Sequence, residues 1–190
     1  RESKQSCYIA MEERIQEIRQ KCNSDDIEIW VEGWEGKDIF RNHIAVTIPY
    51  KGNRVGKDKP PFLLEAKKYL VDFLSANVTL KYESEDMCLI RATELGRDNC
   101  IIAYIDKDLL QAPFDYYNYQ KKDFTSLTEK QAKIRLYRQI LTGDRTDNIP
   151  GLHRYGPKTA EKIIKEDTDN IPLAVAKEYK KMKHTYDYLV

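Results

Sequence analysis

Cys100-Ile101-Ile102-Ala103-Tyr104-Ile105-Asp106-Lys107-Asp108 is the stretch that decides the fold. Its apolar run is far too short to cross a bilayer. It reads instead as a strand buried on both faces, as the strands of a parallel sheet are. The run ends on two carboxylates, Asp106 and Asp108. In open α/β sheets, ligands bind beyond the carboxyl ends of the strands.

Working outward, Asp86 to Leu95 has helical spacing and stops at Gly96. Before it, Val78-Thr79-Leu80-Lys81-Tyr82 reads as a short strand and Phe62–Leu74 as a helix. Ile27–Val31 reads as a further strand, ending at Glu32-Gly33, and residues 7–21 as a helix broken by Asn23-Ser24-Asp25-Asp26. Strands alternating with helices predict a mostly parallel central sheet flanked by helices. Beyond Thr128 the pattern is helical throughout: Glu129–Leu141, Pro157–Glu166 and Ile171–Lys183. The expected organisation is an α/β core over 1–127 and a helical subdomain over 128–190. Residues 33–61 show no period, and such a long segment in a compact domain is functional or disordered.

The chain has 190 residues, 41% of them hydrophobic, enough for a sizeable core. A net charge of +1 identifies no partner by itself. Cys7, Cys22, Cys88 and Cys100 form no CxxC pair and read as buried, reduced thiols of a cytosolic protein. No signal peptide or membrane span is expected. The chain opens on Arg1 and closes on Leu189-Val190, and it reads as a piece cut from something longer.

Three acidic groups stand out: Glu83, Glu85 and Asp86 where a strand becomes a helix, Asp106 and Asp108 after the apolar strand, and Asp144 and Asp147 just after a helix. Taken singly, each is more simply a solvated surface or a helix N-terminus, where acidic side chains are favourable. Together they could not all stay ionised without cations between them. With no His or Cys alongside, hard Mg²⁺ or Mn²⁺ fits best, and two such ions support phosphodiester hydrolysis.

Pro49-Tyr50-Lys51-Gly52-Asn53-Arg54, with Arg41 upstream and Lys57, Lys59, Lys67 and Lys68 downstream, reads either as a solvated loop or as a phosphate-neutralising surface. In Ile149-Pro150-Gly151-Leu152-His153-Arg154-Tyr155-Gly156-Pro157-Lys158-Thr159-Ala160, Gly151 and Gly156 bracket an expected tight turn. Pro157 suits the first position of a helix whose N-terminal amides can hold a phosphate. Two helices joined in this way resemble a helix-hairpin-helix clamp on the DNA backbone.

In order along residues 27–165, these segments resemble the 5′ nuclease family, which includes the phage flap endonucleases and 5′ exonucleases and the 5′ nuclease domain of bacterial DNA polymerase I. Glu83-Ser84-Glu85-Asp86 resembles the family's Glu-x-Asp-Asp element, with Glu85 in place of an Asp. Asp106-Lys107-Asp108 resembles its Asp-Lys-Asp strand end. Gly143-Asp144-Arg145-Thr146-Asp147-Asn148 is similar to its Gly-Asp-x-x-Asp-Asn loop, and Phe40-Arg41 and Tyr50–Arg54 to its Phe-Arg and Tyr-Lys-x-x-Arg elements.

The resemblance implies a PIN-like nuclease core with a helix-hairpin-helix subdomain. It implies Mg²⁺-dependent 5′-3′ exodeoxyribonuclease and flap endonuclease activity. Glu83, Glu85, Asp86 and Asp106 would bind a first metal, and Asp108, Asp144 and Asp147 a second. Lys51 and Arg54 would act on the reacting phosphate. The 35–62 loop would form an arch or gateway for a 5′ single strand. DNA contacts would come from Arg41, Tyr50, Gly151, Arg154, Gly156, Lys158 and Thr159, with residues 148–160 gripping a duplex and holding K⁺. The implied partners are DNA with a 5′ end or flap, RNA-primed or not, and a DNA polymerase. The implied setting is a monomer in the cytoplasm of a bacterial or phage-infected cell.

Three positions depart from the family pattern. Its first Asp-bearing strand does not precede the helix at 7–21 and is expected upstream of Arg1 or to be absent. Glu32, with Glu35 close by, stands where the next strand carries an Asp, as a metal ligand with a longer reach. Arg154 stands where the hairpin has Gly, so a reshaped turn is expected. These departures motivate an alternative, a catalytically weakened DNA-structure-binding protein on the same fold. A small-molecule phosphohydrolase is a third reading, and the hairpin argues against it.

Overall fold

The computed structural model describes residues 3–35, 38–46, 48–166 and 170–182. The chain divides into two compact units, one of residues 1–40 with 58–127 and the other of residues 41–57 with 128–190. The division after Leu127 falls where the helical pattern begins. Residues 41–57 group with the helical unit, whereas the sequence reading keeps the whole 35–62 loop with the α/β core. Hydrogen bonds from Tyr50 and Arg54 to Asp147 account for the difference.

In the first unit, α1 (Lys4–Cys22) starts at Ser3, whose hydroxyl accepts the Ser6 amide at 3.1 Å in a capping box. It ends at Asn23, in the left-handed conformation at φ 49°. No α1 residue is fully buried. Tyr8 stacks on Tyr69 of α3 (Leu63–Leu74) with ring centroids 4.1 Å apart. β1 (Trp30–Glu32) pairs in parallel with β2 (Asn77–Thr79), and α4 (Ser84–Leu95) follows. β3 (Ile102–Tyr104) pairs in parallel with β4 (Asp115–Asn118), and β4 pairs antiparallel with β5 (Asp123–Ser126). The parallel pairing expected from the sequence is present, as two sheets among the described residues.

The core of this unit lies around Ile102, Tyr104, Leu109, Leu110 and Tyr116. Tyr116 is wholly buried, and its hydroxyl is satisfied 2.8 Å from both the Leu109 and Ala112 carbonyl oxygens. Cys88 packs against this core and is half-buried; burial, and then the nearby Glu85 and Glu28, push its thiol up to about 11, which disfavours the thiolate at neutral pH.

In the second unit, α2 (Arg41–Ile44) and a 3-10 turn over Gly52–Arg54 precede α5 (Glu129–Thr142). Thr128 caps α5, and its hydroxyl accepts the Gln131 amide at 3.3 Å. The two-residue strands β6 (Gly143–Asp144) and β7 (Ile149–Pro150) pair antiparallel and lead into α6 (Pro157–Glu166) and α7 (Ile171–Lys181). Asn170 caps α7 through the Leu173 amide. Lys183, the expected end of the last helix, lies outside the described residues, as do Gly36, Lys37 and Thr47 of the 35–62 stretch. The core here is Leu141, Leu152, Ala160, Ile164, Ile171 and Val175. Tyr179 closes it by donating its hydroxyl to the Ile140 carbonyl at 2.7 Å. Among the described residues, no helix is long and apolar enough to cross a membrane.

Candidate functional site

The acidic residues of the first unit sit at strand ends and helix starts. Glu32 closes β1, and its backbone carbonyl accepts Lys67 Nζ at 2.8 Å. Glu83 precedes α4 and is buried, while Glu85 and Asp86 lie half-buried in the first turn. Asp86 Oδ2 accepts the Glu83 amide at 3.0 Å, so this carboxylate holds the helix start that the sequence pattern also allowed. Asp106 is exposed after β3 and caps a 3-10 turn over Lys107–Gln111, accepting the Asp108 amide at 3.0 Å. Asp108 faces its neighbour Lys107, 3.1 Å away.

In the second unit, Asp144 is 6% exposed and accepts the Thr146 amide at 2.7 Å and Gln139 Nε2 at 2.9 Å. Asp147 receives the basic segment. Its Oδ2 accepts the Tyr50 hydroxyl at 2.8 Å and its Oδ1 accepts Arg54 Nη2 at 2.7 Å, with Lys51 Nζ at 3.9 Å. Arg41 lies over the Tyr50 ring, 5.9 Å from its centroid. These bonds are the reason residues 41–57 belong to the helical unit.

The eight carboxylates expected to bind metal, Glu32, Glu83, Glu85, Asp86, Asp106, Asp108, Asp144 and Asp147, are thus spread over four turns. Most of them already serve local donors. Among the described residues, no group of three or more His, Cys, Asp or Glu side chains is gathered closely enough to hold a metal ion. The donor type, carboxylate oxygen throughout, suits a hard divalent ion.

The hairpin differs from its sequence reading. Gly151 is required by close backbone approach: a Cβ there would lie 2.2 Å from the Thr142 carbonyl carbon. Gly156 has open space around it, and its φ lies outside the left-handed region. The positive φ of this turn falls on Arg154, at 66°, so the turn keeps the left-handed geometry and places a non-glycine residue in it. Arg154, Lys158 and Thr159 are all exposed, the latter two in the first turn of α6.

Two residues of the quoted motifs take structural roles that the sequence reading did not assign. Asn53 Nδ2 donates to the Arg145 carbonyl at 2.7 Å, and Asn148 Nδ2 donates to the Pro49 carbonyl at 2.9 Å. Asn148 adopts φ 59°, a conformation Asn tolerates, and an Asn at the end of a loop was the only available signal. Gly143, which opens the same loop motif, has a backbone role that the motif did not announce. Its φ is 68°, and it crosses the Gly151 backbone closely.

No protein-family model matches the chain. A 5′-3′ exonuclease of Bacillus subtilis (strain 168) is 29% identical over 155 residues, covering 70% of this chain and 50% of that protein. The chain thus spans about half the length of the curated relative it matches. Among solved structures, a bacteriophage T5 protein co-crystallised with metal ions superposes with a TM-score of 0.71 at 16% identity, covering 96% of this chain and 80% of that one. A bacteriophage T5 flap endonuclease in a pseudo-enzyme-product complex with DNA and metal ions gives 0.67 at 15% identity, covering 96% and 79%. A T5 5′-exonuclease with bound zinc gives 0.64 at 18% identity, covering 97% and 79%. The chain thus shares the fold of these T5 proteins, and its sequence is similar to that of a 5′-3′ exonuclease.

Proposed function

We propose that the protein is a structure-specific 5′ nuclease that hydrolyses phosphodiester bonds in DNA carrying a 5′ end or 5′ flap, with Mg²⁺ or Mn²⁺ as its cofactor. The observation that carries this reading is the likeness to a 5′-3′ exonuclease over 70% of the chain, on a fold that matches phage T5 nucleases over 96% of it. The acidic motifs keep the family's order.

The chain's own residues have clear parts to play. Lys51 and Arg54 bring two cations to one loop, where they can bind phosphate oxygens and stabilise charge developing on them. The start of α6 and the exposed side chains of Arg154, Lys158 and Thr159 suit contacts to a duplex backbone. Such contacts select DNA shape, with no dependence on base sequence. A divalent ion held by carboxylates such as Glu83, Glu85, Asp86 and Asp106 would supply an activated water. K⁺ at the hairpin, an RNA-primed substrate and a polymerase partner belong to the same proposal.

One observation favours a second reading, a DNA-structure-binding protein with weakened catalysis: the carboxylates do not gather as a metal-holding set among the described residues. Cleavage of a labelled 5′-flap duplex decides between the two. The nuclease cuts near the branch with Mg²⁺, stops with EDTA, and loses at least about a hundredfold in rate in Asp106→Ala. Binding of the flap with no cutting in any divalent ion would refute it.

A further inference from the structure

The strap from Pro49 to Arg54 is bonded along its length to the loop Arg145–Asn148 of its own unit. Besides the side-chain contacts to Asp147, the Lys51 amide donates to the Asp147 carbonyl at 2.9 Å. Arg54 Nε donates to the Thr146 carbonyl at 3.2 Å. Asn53 and Asn148 add the reciprocal pair already described. Lys51 sits at φ 52°, a conformation that a non-glycine residue holds only when its surroundings impose it.

Asp147 is the electrostatic centre of this seat. Its side chain is 16% exposed, and each of its oxygens already accepts a protein donor. A divalent ion on the same oxygens would stand beside the Arg54 guanidinium and near the Lys51 ammonium, both of which repel it. The resemblance to 5′ nucleases makes Asp147 a metal ligand, and the geometry of this chain disagrees.

We infer that Asp147 is a counterion clasp: it seats the basic strap on the 145–148 loop and presents Lys51 and Arg54 there, and it does not ligate a metal. It is a positioning residue. Its bond to Arg54 is charge-assisted, and so is the guanidinium–phosphate bond that would replace it when the strap meets a phosphodiester. That exchange rests on the nuclease reading. The clasp itself does not.

The test is limited trypsin digestion after Lys51 and Arg54, read by mass spectrometry, with hydrogen exchange over α5–α7 as the check on folding. It compares the whole wild-type chain with Asp147→Asn and Tyr50→Phe, each in EDTA and in millimolar Mg²⁺. The clasp requires cutting at these two sites to rise about tenfold in Asp147→Asn in EDTA, because a charge-assisted seat is lost and cleavage follows local opening. It also requires that Mg²⁺ leave the wild-type pattern unchanged.

Cutting within twofold of wild type in a folded Asp147→Asn overturns the inference. So does exposure of the strap by Mg²⁺ in the wild type, since a metal taking Asp147 would release the cations. If Asp147→Asn loses α5–α7 protection as a whole, Tyr50→Phe decides: about threefold faster cutting supports the clasp, and no change overturns it. A parallel flap-cleavage titration keeps the two readings apart. An unchanged half-saturating Mg²⁺ concentration in Asp147→Asn agrees with a counterion, and a large rise would mark a metal ligand. Absence of cleavage by the wild type defeats the nuclease reading and leaves the clasp to the digestion result.

Discussion

Replacing Gly151 with Ala should unfold the helical unit far more readily than replacing Gly156, although the two glycines look alike as brackets of one turn. An ideal Cβ on Gly151 would lie 2.2 Å from the Thr142 carbonyl carbon, 2.4 Å from the Gly143 nitrogen and 2.5 Å from the Thr142 oxygen. All three are backbone atoms and cannot swing aside as a side-chain tip can. Ordinary contact begins at 3.4 Å, so the two chain segments must part by about 1 Å. The separation strains the β6–β7 pairing of Gly143 with Pro150 and the bond from the Leu152 amide to the Leu141 carbonyl, 2.9 Å long. It also shifts Leu141 and Leu152, which are 0% and 4% exposed in the core. Overpacking costs about 1–3 kcal/mol even when side chains can yield, so Gly151→Ala should cost about 3 kcal/mol or more. In a chain of this size that lowers the melting temperature by about 6–12 °C.

At Gly156 an added Cβ meets nothing within 4 Å. The residue's carbonyl accepts the Ala160 amide at 3.0 Å at the head of α6, so the change is that of Gly to Ala at a helix cap, under about 1 kcal/mol. Urea unfolding followed by circular dichroism gives both values, with equal slopes required for the comparison. Equal losses at the two sites, or a larger loss at Gly156, would refute the close-approach argument.

Two further outcomes follow from single side chains. Arg154→Gly relieves a non-glycine residue at φ 66° and should change stability by no more than about 1 kcal/mol, with the folded state favoured; if Arg154 contacts a phosphate, the same variant lowers the slope of log K against log salt for duplex binding by about 0.9, and an unchanged slope removes that contact. The Glu178 carboxyl is held below its ordinary value first by Lys181 and then by the Tyr155 hydroxyl, which donates at 2.6 Å; a depressed folded pKa contributes stability that is present above the unfolded value and lost as pH falls through the folded one, so the urea midpoint should drop below about pH 4.5 in the wild type and less so in Glu178→Gln.

The fold was legible where one local rule sufficed. The helices announced themselves by apolar spacing and by boundary residues such as Gly96 and Pro157, and the parallel strand over Ile102–Tyr104 by its apolar run. β4 and β5 were not read, because Asp115-Tyr116-Tyr117-Asn118 and Asp123-Phe124-Thr125-Ser126 alternate poorly. Tyr116 and Tyr117 are both wholly buried on neighbouring positions, one facing each side of a strand that has partners on both edges. A tyrosine pair between two acidic or polar residues carries no such message in one dimension.

The same limit explains the candidate site. The sequence supplies candidate residues and their order, but order cannot say which charge a carboxylate will meet. At Asp86 and Asp106 the nearest donors are amides of their own turn, a short-range outcome that the helix-start reading had anticipated. At Asp147 the donors come from Tyr50 and Arg54, almost a hundred residues earlier in the chain. Only folding brings them together. The pairing turns two segments that look separate in the sequence, one acidic and one basic, into a single seat. That seat is why residues 41–57 belong with the helical unit, and it makes the charge of Asp147 a condition for where Lys51 and Arg54 stand.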